Sequence, residues 1–384
     1  MMRTKLLIPG PVDIPEDVRE AMSIPSMPHY GAAWMQLFGQ TQAMAKQLFA
    51  TQHDLYIMAG PGSMALEAAL GSALEPGDAV LVPNNGFFAD RIVAMLEGLA
   101  LKPLQVHIPW GQPLRPEHLT ETLATHPELK AMAVVHHETS TGVLNPLESL
   151  CAMARDQDLL IVVDAVSSLG GVSLPVDAWG IDCCVTVGNK VLETPPALAL
   201  LSISPRAWEQ IMQRQAPRGW YLDLRMWRWY ADNWGDWHPT PVTMPTSNLY
   251  ALHHSLTQLL AQGIPQRWKA YAAAMYAVRR GLEAVGCTML VEEAYASPLT
   301  TAFYPPEGIS APQMQGWLND EAKLMITGGL GALKGKILRV GHIGLARQRD
   351  YVEPFLLAVE NYLRLQGCEV LPGSSLVALE MVTQ

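Results

Sequence analysis

Residues 181–196, IDCCVTVGNKVLETPP, set a lysine, Lys190, directly behind a run with the character of a buried strand. Ile181, Cys183, Cys184, Val185 and Val187 are apolar, and Pro195 and Pro196 close the segment soon after. Short, nearly continuous apolar runs suit strands that are covered on both faces. The lysine then has two readings. Strands end at the surface, where ammonium groups are solvated; or the amine is a reagent aimed into a crevice.

Working outward, AVLVPNNG (79–86), KAMAVVHHETSTG (130–142) and DLLIVVDAVSSLGG (158–171) are further strand-like runs that end in small or polar residues. Between them, SMALEAALGSAL, FFADRIVAMLEGLA and PLESLCAMARDQ repeat apolar residues at helical spacing. Strand–helix–strand alternation predicts an α/β fold with a mostly parallel central sheet. Ligands of such sheets bind beyond the carboxyl ends of the strands. The polar residues expected there are Asn84, Asn85, Glu138 to Thr141, Asp164, Asn189 and Lys190, contributed by four separate strands.

A chain of 384 residues exceeds the usual size of one core, which predicts two domains. We place a large domain at residues 1–252, including an N-terminal arm, and a smaller α+β domain at 253–384. The net charge of −10 argues against nucleic acid as a partner. The N-terminus reads as neither a signal peptide nor a membrane span, so a soluble cytoplasmic protein is expected. Five cysteines without a CxxC pair read as buried thiols rather than a disulfide framework or a metal site. The tryptophan-rich stretch QAPRGWYLDLRMWRWYADNWGDWHPTPVTMPTSN reads as an irregular connection, packed between domains or forming a subunit interface.

Several residues carry alternative readings. Gly60, Gly62 and Ser63 open a helix whose N-terminus suits a phosphate, or simply cap it. Asp164 is either an N-cap or a carboxylate that keeps a proton on a cofactor's ring nitrogen. His136 and His137 diverge on a strand and do not suggest a metal. Thr139, Ser140 and Thr141 offer hydroxyls to a ligand or form a polar turn. Arg339, among apolar strand residues, is an edge ion pair or a clamp for a carboxylate.

Taken in order, IPGPVDIP, AGPGSMALEAAL, NNGFFADR, HHETSTGVLNPL, VDAVSSLGG, VGNKVLETPPALALLSIS, YLDL, TPVTMPTSNLYAL and GGLGALKGKILRVGHIG resemble the class V, fold-type I pyridoxal-phosphate aminotransferases. The likeness is to their alanine–glyoxylate and serine–pyruvate branch. It implies that Lys190 is the catalytic residue, holding the aldehyde of pyridoxal 5′-phosphate as an imine. It implies that Asp164 pairs with the ring nitrogen, that Thr139 lies near the phenolic side, and that Phe88 stacks on the ring. Gly62, Ser63 and Met64 fall in the phosphate turn, and Asn189 beside the lysine. Thr240 and Thr243 belong to the segment that reaches the other subunit's cofactor, which implies a homodimer. Gly10 and Arg339 are the implied substrate-binding residues.

The chain departs from the family pattern at four places. Phe88 stands where tryptophan or another aromatic is common, Asn189 where glutamine is common, Pro61 where a hydroxyl residue is usual, and Thr240 where relatives carry tyrosine. The expected reaction is transfer of an amino group from a small amino acid, alanine or serine, to a short 2-oxo acid, glyoxylate or pyruvate. Alternatives are a transaminase for an unusual amine such as ureidoglycine or pyridoxamine, a desulfurase or lyase of the same fold, and a non-catalytic relative.

Overall fold

Seven strands form the central sheet of the computed structural model, which describes residues 4–215 and 219–382. They are β1 (Asp54–Ala59), β2 (Ala79–Asn84), β3 (Lys102–His107), β4 (Leu129–Val135), β5 (Leu160–Asp164), β6 (Cys183–Val187) and β7 (Leu198–Ile203). Their order is β1-β7-β6-β5-β4-β2-β3. Only β7 runs antiparallel to its neighbours; the other pairs are parallel, as the alternating pattern predicts.

Side chains alternate between two cores, one on each face of the sheet. Cys183 and Val185 belong to one, with Ala199 and Leu201 beside them; Cys184, Leu198 and Leu200 belong to the other. Burial on both faces is why these strands read as unbroken apolar runs, each such side chain contributing about 1.5–3 kcal/mol. Helix α1 (Gly62–Ala73) follows β1, α2 (Phe87–Gly98) follows β2, and α3 (Leu147–Asp156) precedes β5.

The tryptophan-rich connection is more regular than expected. It contains α4 (Leu224–Asn233), started by Asp223, whose carboxylate accepts from Arg225 N at 3.0 Å. Leu224 and Trp227 are buried on its inner face, while Trp229, Trp234 and Trp237 stay exposed. Helical spacing of the inner residues, masked by the surrounding aromatics, accounts for the difference. Residues 216–218 of that stretch lie outside the described residues.

The expected division near Leu252 falls inside a helix, α5 (Thr246–Gln262). Leu249, Leu252, Leu256 and Leu259 form one stripe of α5 and pack in a core of the large sheet. The next helix, α6 (Ile264–Ala284), turns Ala274, Ala277, Val278 and Leu282 into a separate core instead. The cores therefore part near Gly263, at the joint between the helices. The second core backs a four-stranded antiparallel sheet of β8 (Thr288–Met289), β9 (Thr300–Tyr304), β10 (Thr327–Gly328) and β11 (Leu338–Gly341), in the order β8-β9-β11-β10. The last long helix, α7 (Arg349–Leu365), covers it together with α6.

The N-terminal arm, grouped with the large domain from sequence, is attached to the small one. Lys5–Leu6 pairs with Leu324–Met325, and Leu7 lies in the small-domain core. Among the described residues, no helix is long and apolar enough to cross a membrane.

Candidate active site

The carboxyl ends of β4, β5 and β6 open onto a cleft of about 510 Å³, with the N-termini of α1 and α2 on its rim. Gly62, Ser63, Phe88, Asp164, Asn189 and Lys190 all line it. Four segments far apart in sequence thus bring six of the expected site residues together.

Lys190 emerges three residues beyond β6, and its Nζ donates to Pro9 O at 2.7 Å. Burial pushes its amine down to about 8; Asp164 opposes the shift, while Arg339 and Arg91 add to it. Asp164 ends β5, and its Oδ1 accepts from Val166 N at 2.9 Å, an aspartate turn onto its own backbone. Burial raises its carboxyl to about 6, against that hydrogen bond and the nearby Lys190 and Arg91. The amine and the acid are close enough to feel each other's charge.

Helix α1 has Pro61 at its N-cap, with no side-chain hydrogen bond to the first turn. Its leading amides beside the cleft, with the positive end of the helix dipole, form an anion site. Gly62 is required by packing. A Cβ there would lie 2.6 Å from Val166 Cγ2 and 2.9 Å from Val187 Cγ1.

Helix α2 is capped from a distance. Glu138 is fully buried and accepts from Phe88 N at 3.1 Å and Ala89 N at 3.2 Å; Ser140 Oγ accepts from Phe87 N at 3.1 Å. The loop after β4 thereby fixes the helix that carries Phe88 into the cleft. Burial raises the Glu138 carboxyl to about 7, although Ser140 and Ala89 donate to it.

Arg339 on β11 is buried, with Nε donating to Gly328 O and Nη1 to Thr139 O, each at 2.9 Å. Burial lowers its guanidinium to about 10, and Glu138 acts in the opposite sense. It belongs to the small domain and is not among the residues lining the cleft, although its charge reaches Lys190.

Other expected residues lie elsewhere. Thr139 is buried, and its carbonyl engages Arg339. Met64 covers Gly60, whose added Cβ would meet Met64 Cε at 2.5 Å, and is not among the residues lining the cleft. Thr240 is buried in a separate small recess beside Trp227, its hydroxyl donating to Val242 O at 3.0 Å. Thr243 is exposed. Neither threonine lines the cleft of its own chain. Gly10 does reach Lys190.

Sequence reasoning missed Arg91, His137 and Ser167, which also line the cleft. Arg91 follows Phe88 by one turn of α2 and lies 4.7 Å from its ring centre; that three-residue spacing was the available signal. His137 Nδ1 is 3.1 Å from Ser167 O, and burial lowers its ring to about 3, so it is neutral and donates to that carbonyl. Among the described residues, no group of three or more His, Cys, Asp or Glu is placed to hold a metal ion.

A large, mostly parallel α/β domain, a smaller α+β domain, and a cleft uniting a lysine, an aspartate and an open helix N-terminus are the arrangement of fold-type I pyridoxal-phosphate enzymes. The family pattern described as Aminotransferase class-V matches residues 18–346. An uncharacterized aminotransferase of Methanocaldococcus jannaschii is 34% identical over 98% of this chain and 97% of its own. The alanine–glyoxylate aminotransferase of Callithrix jacchus is 32% identical over 94% of this chain and 88% of its own. The crystal structure of a ureidoglycine–glyoxylate aminotransferase from Bacillus subtilis superposes with a TM-score of 0.93 at 28% identity, covering 100% of this chain and 98% of that one.

The chain belongs to the class-V aminotransferases, in their alanine–glyoxylate branch. Its reaction is transamination, and its cofactor is pyridoxal 5′-phosphate. The cleft fits that cofactor. It offers a primary amine for an aldehyde, a carboxylate for a ring nitrogen, and an uncapped helix N-terminus for a phosphate.

Proposed function

We propose that the enzyme moves an amino group from a small amino acid of the alanine or serine type to a short 2-oxo acid, glyoxylate or pyruvate. The observation that carries the site assignment is the convergence of Lys190, Asp164 and the α1 N-terminus on one cleft, with Arg339 of the small domain near enough for its charge to lower the Lys190 amine. The relatives named for alanine–glyoxylate and ureidoglycine–glyoxylate transfer share an acceptor, which supports glyoxylate.

Pyridoxal phosphate, when bound, supplies an electrophilic aldehyde and an electron-accepting ring. In this reading Lys190 is its covalent partner and the proton carrier at the substrate's Cα. With its amine pushed down to about 8, a useful fraction is uncharged near neutral pH, as nucleophile and base both require. Asp164 holds the ring-nitrogen proton, Phe88 covers the ring, and Gly62, Ser63 and Asn189 hold the phosphate end. Arg339 binds the substrate carboxylate as a preoriented fork. Gly10 borders the substrate. Thr243 contributes from the partner subunit of a homodimer, its exposure outside its own chain's cleft being the support; Thr240, buried with its hydroxyl on Val242 O, supports that segment from within its own chain. A cytoplasmic location completes the proposal.

A second reading keeps the cofactor and changes the donor to an unusual amine such as ureidoglycine, favoured by the 0.93 superposition. A desulfurase is disfavoured. Cys151, Cys183, Cys184 and Cys287 are buried, and burial pushes their thiols up, away from the reactive thiolate. Cys368 is only partly buried, but packs against the small-domain core. A non-catalytic role is opposed by Lys190, Asp164 and Arg339, all present.

The test is a half-reaction. Purified holoenzyme is mixed in turn with alanine, serine, ureidoglycine and pyridoxamine, and loss of the lysine-linked absorbance is followed. Fastest conversion with alanine or serine supports the main reading. Conversion by ureidoglycine or pyridoxamine alone supports the second. No lysine-linked absorbance in the wild type, or its persistence in Lys190→Ala, overturns both.

A further inference from the structure

The hydrogen bond from Lys190 Nζ to Pro9 O joins groups 181 residues apart in the chain. Three contacts fix the arm that carries this carbonyl. Lys5–Leu6 pairs with Leu324–Met325, Leu7 O accepts from Gly341 N at 2.7 Å, and Leu6 N donates to Asp13 Oδ2 at 2.9 Å. Tyr351 OH donates to the same Asp13 oxygen at 3.0 Å, tying the turn of the arm to α7. Gly10, next after Pro9, has φ +133°, a region that side chains rarely enter. A Cβ built on it would lie 2.3 Å from Lys190 Cδ and 2.6 Å from both Cε and Nζ. The space a side chain would take at position 10 is occupied by the lysine arm.

We propose that the Pro9 carbonyl is the holding point of the Lys190 amine whenever that amine is not joined to the cofactor, and that position 10 is glycine to leave room for it. The proposal rests on the reading of Lys190 as the cofactor's covalent partner. Amino-group exchange requires this amine to leave when the substrate amine takes its place, and to return afterwards. A lysine side chain free in a cleft explores many rotamers, and ordering it again costs conformational entropy. A fixed carbonyl keeps the displaced amine near the reacting carbon in one orientation. The bond also favours the charged form and partly offsets the burial that lowers this amine's basicity.

The holding point is set by the strand that carries the carboxylate arginine. Arg339 and Gly341 are two residues apart on β11, and Gly341 N holds Leu7 O. A Cβ at Gly341 would lie 2.4 Å from Ile8 O, so the arm sits directly against that strand. The position where the substrate carboxylate is proposed to bind and the position where the amine waits therefore share one rigid element.

Two measurements test this. Crystal structures of the wild type, one without cofactor and one with pyridoxamine phosphate, leave Lys190 released in both. Nζ within hydrogen-bond distance of Pro9 O in both is the expected result; Nζ turned elsewhere in the pyridoxamine phosphate form overturns the proposal. Failure of the wild type to take pyridoxal phosphate onto Lys190 would instead overturn the functional reading. The second measurement labels the cofactor-free protein with trace acetic anhydride and reads Lys190 by peptide mass. Gly10→Ala should raise Lys190 reactivity at neutral pH about tenfold, the effect of losing one hydrogen bond to the charged form. An unchanged rate in a folded variant overturns the holding role. Should Gly10→Ala fail to fold, the two wild-type structures decide.

Discussion

Arg339 Nη1 donates to Thr139 O at 2.9 Å, so a buried guanidinium of the small domain is oriented by a backbone carbonyl of the large one. Its Nε is held by Gly328 O at the same distance. One bond comes from the sheet that carries the arginine and one from the loop after β4. The guanidinium plane is thus set by both domains.

Lysine cannot reproduce that fork, because an ammonium is a compact donor without a planar orientation. Arg339→Lys should lower kcat/KM for the amino donor on the order of 100-fold, the usual consequence of misplacing a substrate by about 1 Å. Cofactor absorbance should stay intact. Steady-state kinetics with a donor and its decarboxylated amine checks this: the variant should lose most of the preference for the carboxylate.

Glu193 follows the lysine loop with φ +55°, unusual for a side chain of its size. Its buried carboxylate pairs with Arg267 of α6 and, at 3.2 Å, with Arg347 of the small domain. Arg267 also donates to Val191 O at 3.1 Å, next to Lys190. Glu193→Gln would leave two arginines without their buried counter-charge, and the stability loss should be about 3–5 kcal/mol. Urea unfolding of the cofactor-free protein measures it. A loss below about 1 kcal/mol would show that solvent reaches the network.

Acid sensitivity follows from buried groups of opposite sign. Burial lowers His136 and His137 to about 3 and His342 to about 4, so the unfolded chain takes up their protons first as pH falls below about 6.5. Their contribution to stability, complete above that pH, is lost on acidification. Glu138 works the other way. Raised to about 7, it gains its proton in the folded state before the unfolded one, so its contribution is complete below about pH 4 and lost as pH rises through 7. Glu138→Gln should therefore steepen the fall in urea midpoint between pH 7 and pH 5. A slope equal to or shallower than wild type sinks this assignment of proton uptake.

Thr243 is exposed and does not line its own chain's cleft, as a residue serving the partner subunit would be. Thr243→Ala should weaken pyridoxal phosphate binding about tenfold, by loss of one charge-assisted hydrogen bond. Mixed dimers of Lys190→Ala and Thr243→Ala chains should regain one complete site. Activity that does not rise on mixing, at limiting cofactor, would place Thr243 outside the site.

Strands and helices around the cleft were legible because each carries its own periodicity. The doubly buried β6 and the apolar stripe of α2 are local patterns, and Asp164 and Lys190 could be set at strand ends from them. The joint between domains was not. The leucine stripe of α5 looks the same whether it packs on one sheet or another, and only contact with the large core showed that the first core continues past Leu252 to Leu256 and Leu259. Helix α4 was hidden by tryptophans on its outer face. Arg91 escaped notice because its role depends on the ring of Phe88 beside it.

By itself, the sequence determined the fold class and the family, and set Asp164 and Lys190 at or just beyond strand ends. Those follow from local pattern and from ordered motifs, which survive without knowledge of distance. Only the tertiary structure decided that the N-terminal arm belongs with the small domain, that Pro9 O meets Lys190 Nζ, and that Arg339 is oriented from two domains. These contacts join residues far apart in the chain through backbone carbonyls. Every residue has such a carbonyl, so nothing in the side-chain order announces which one will be used.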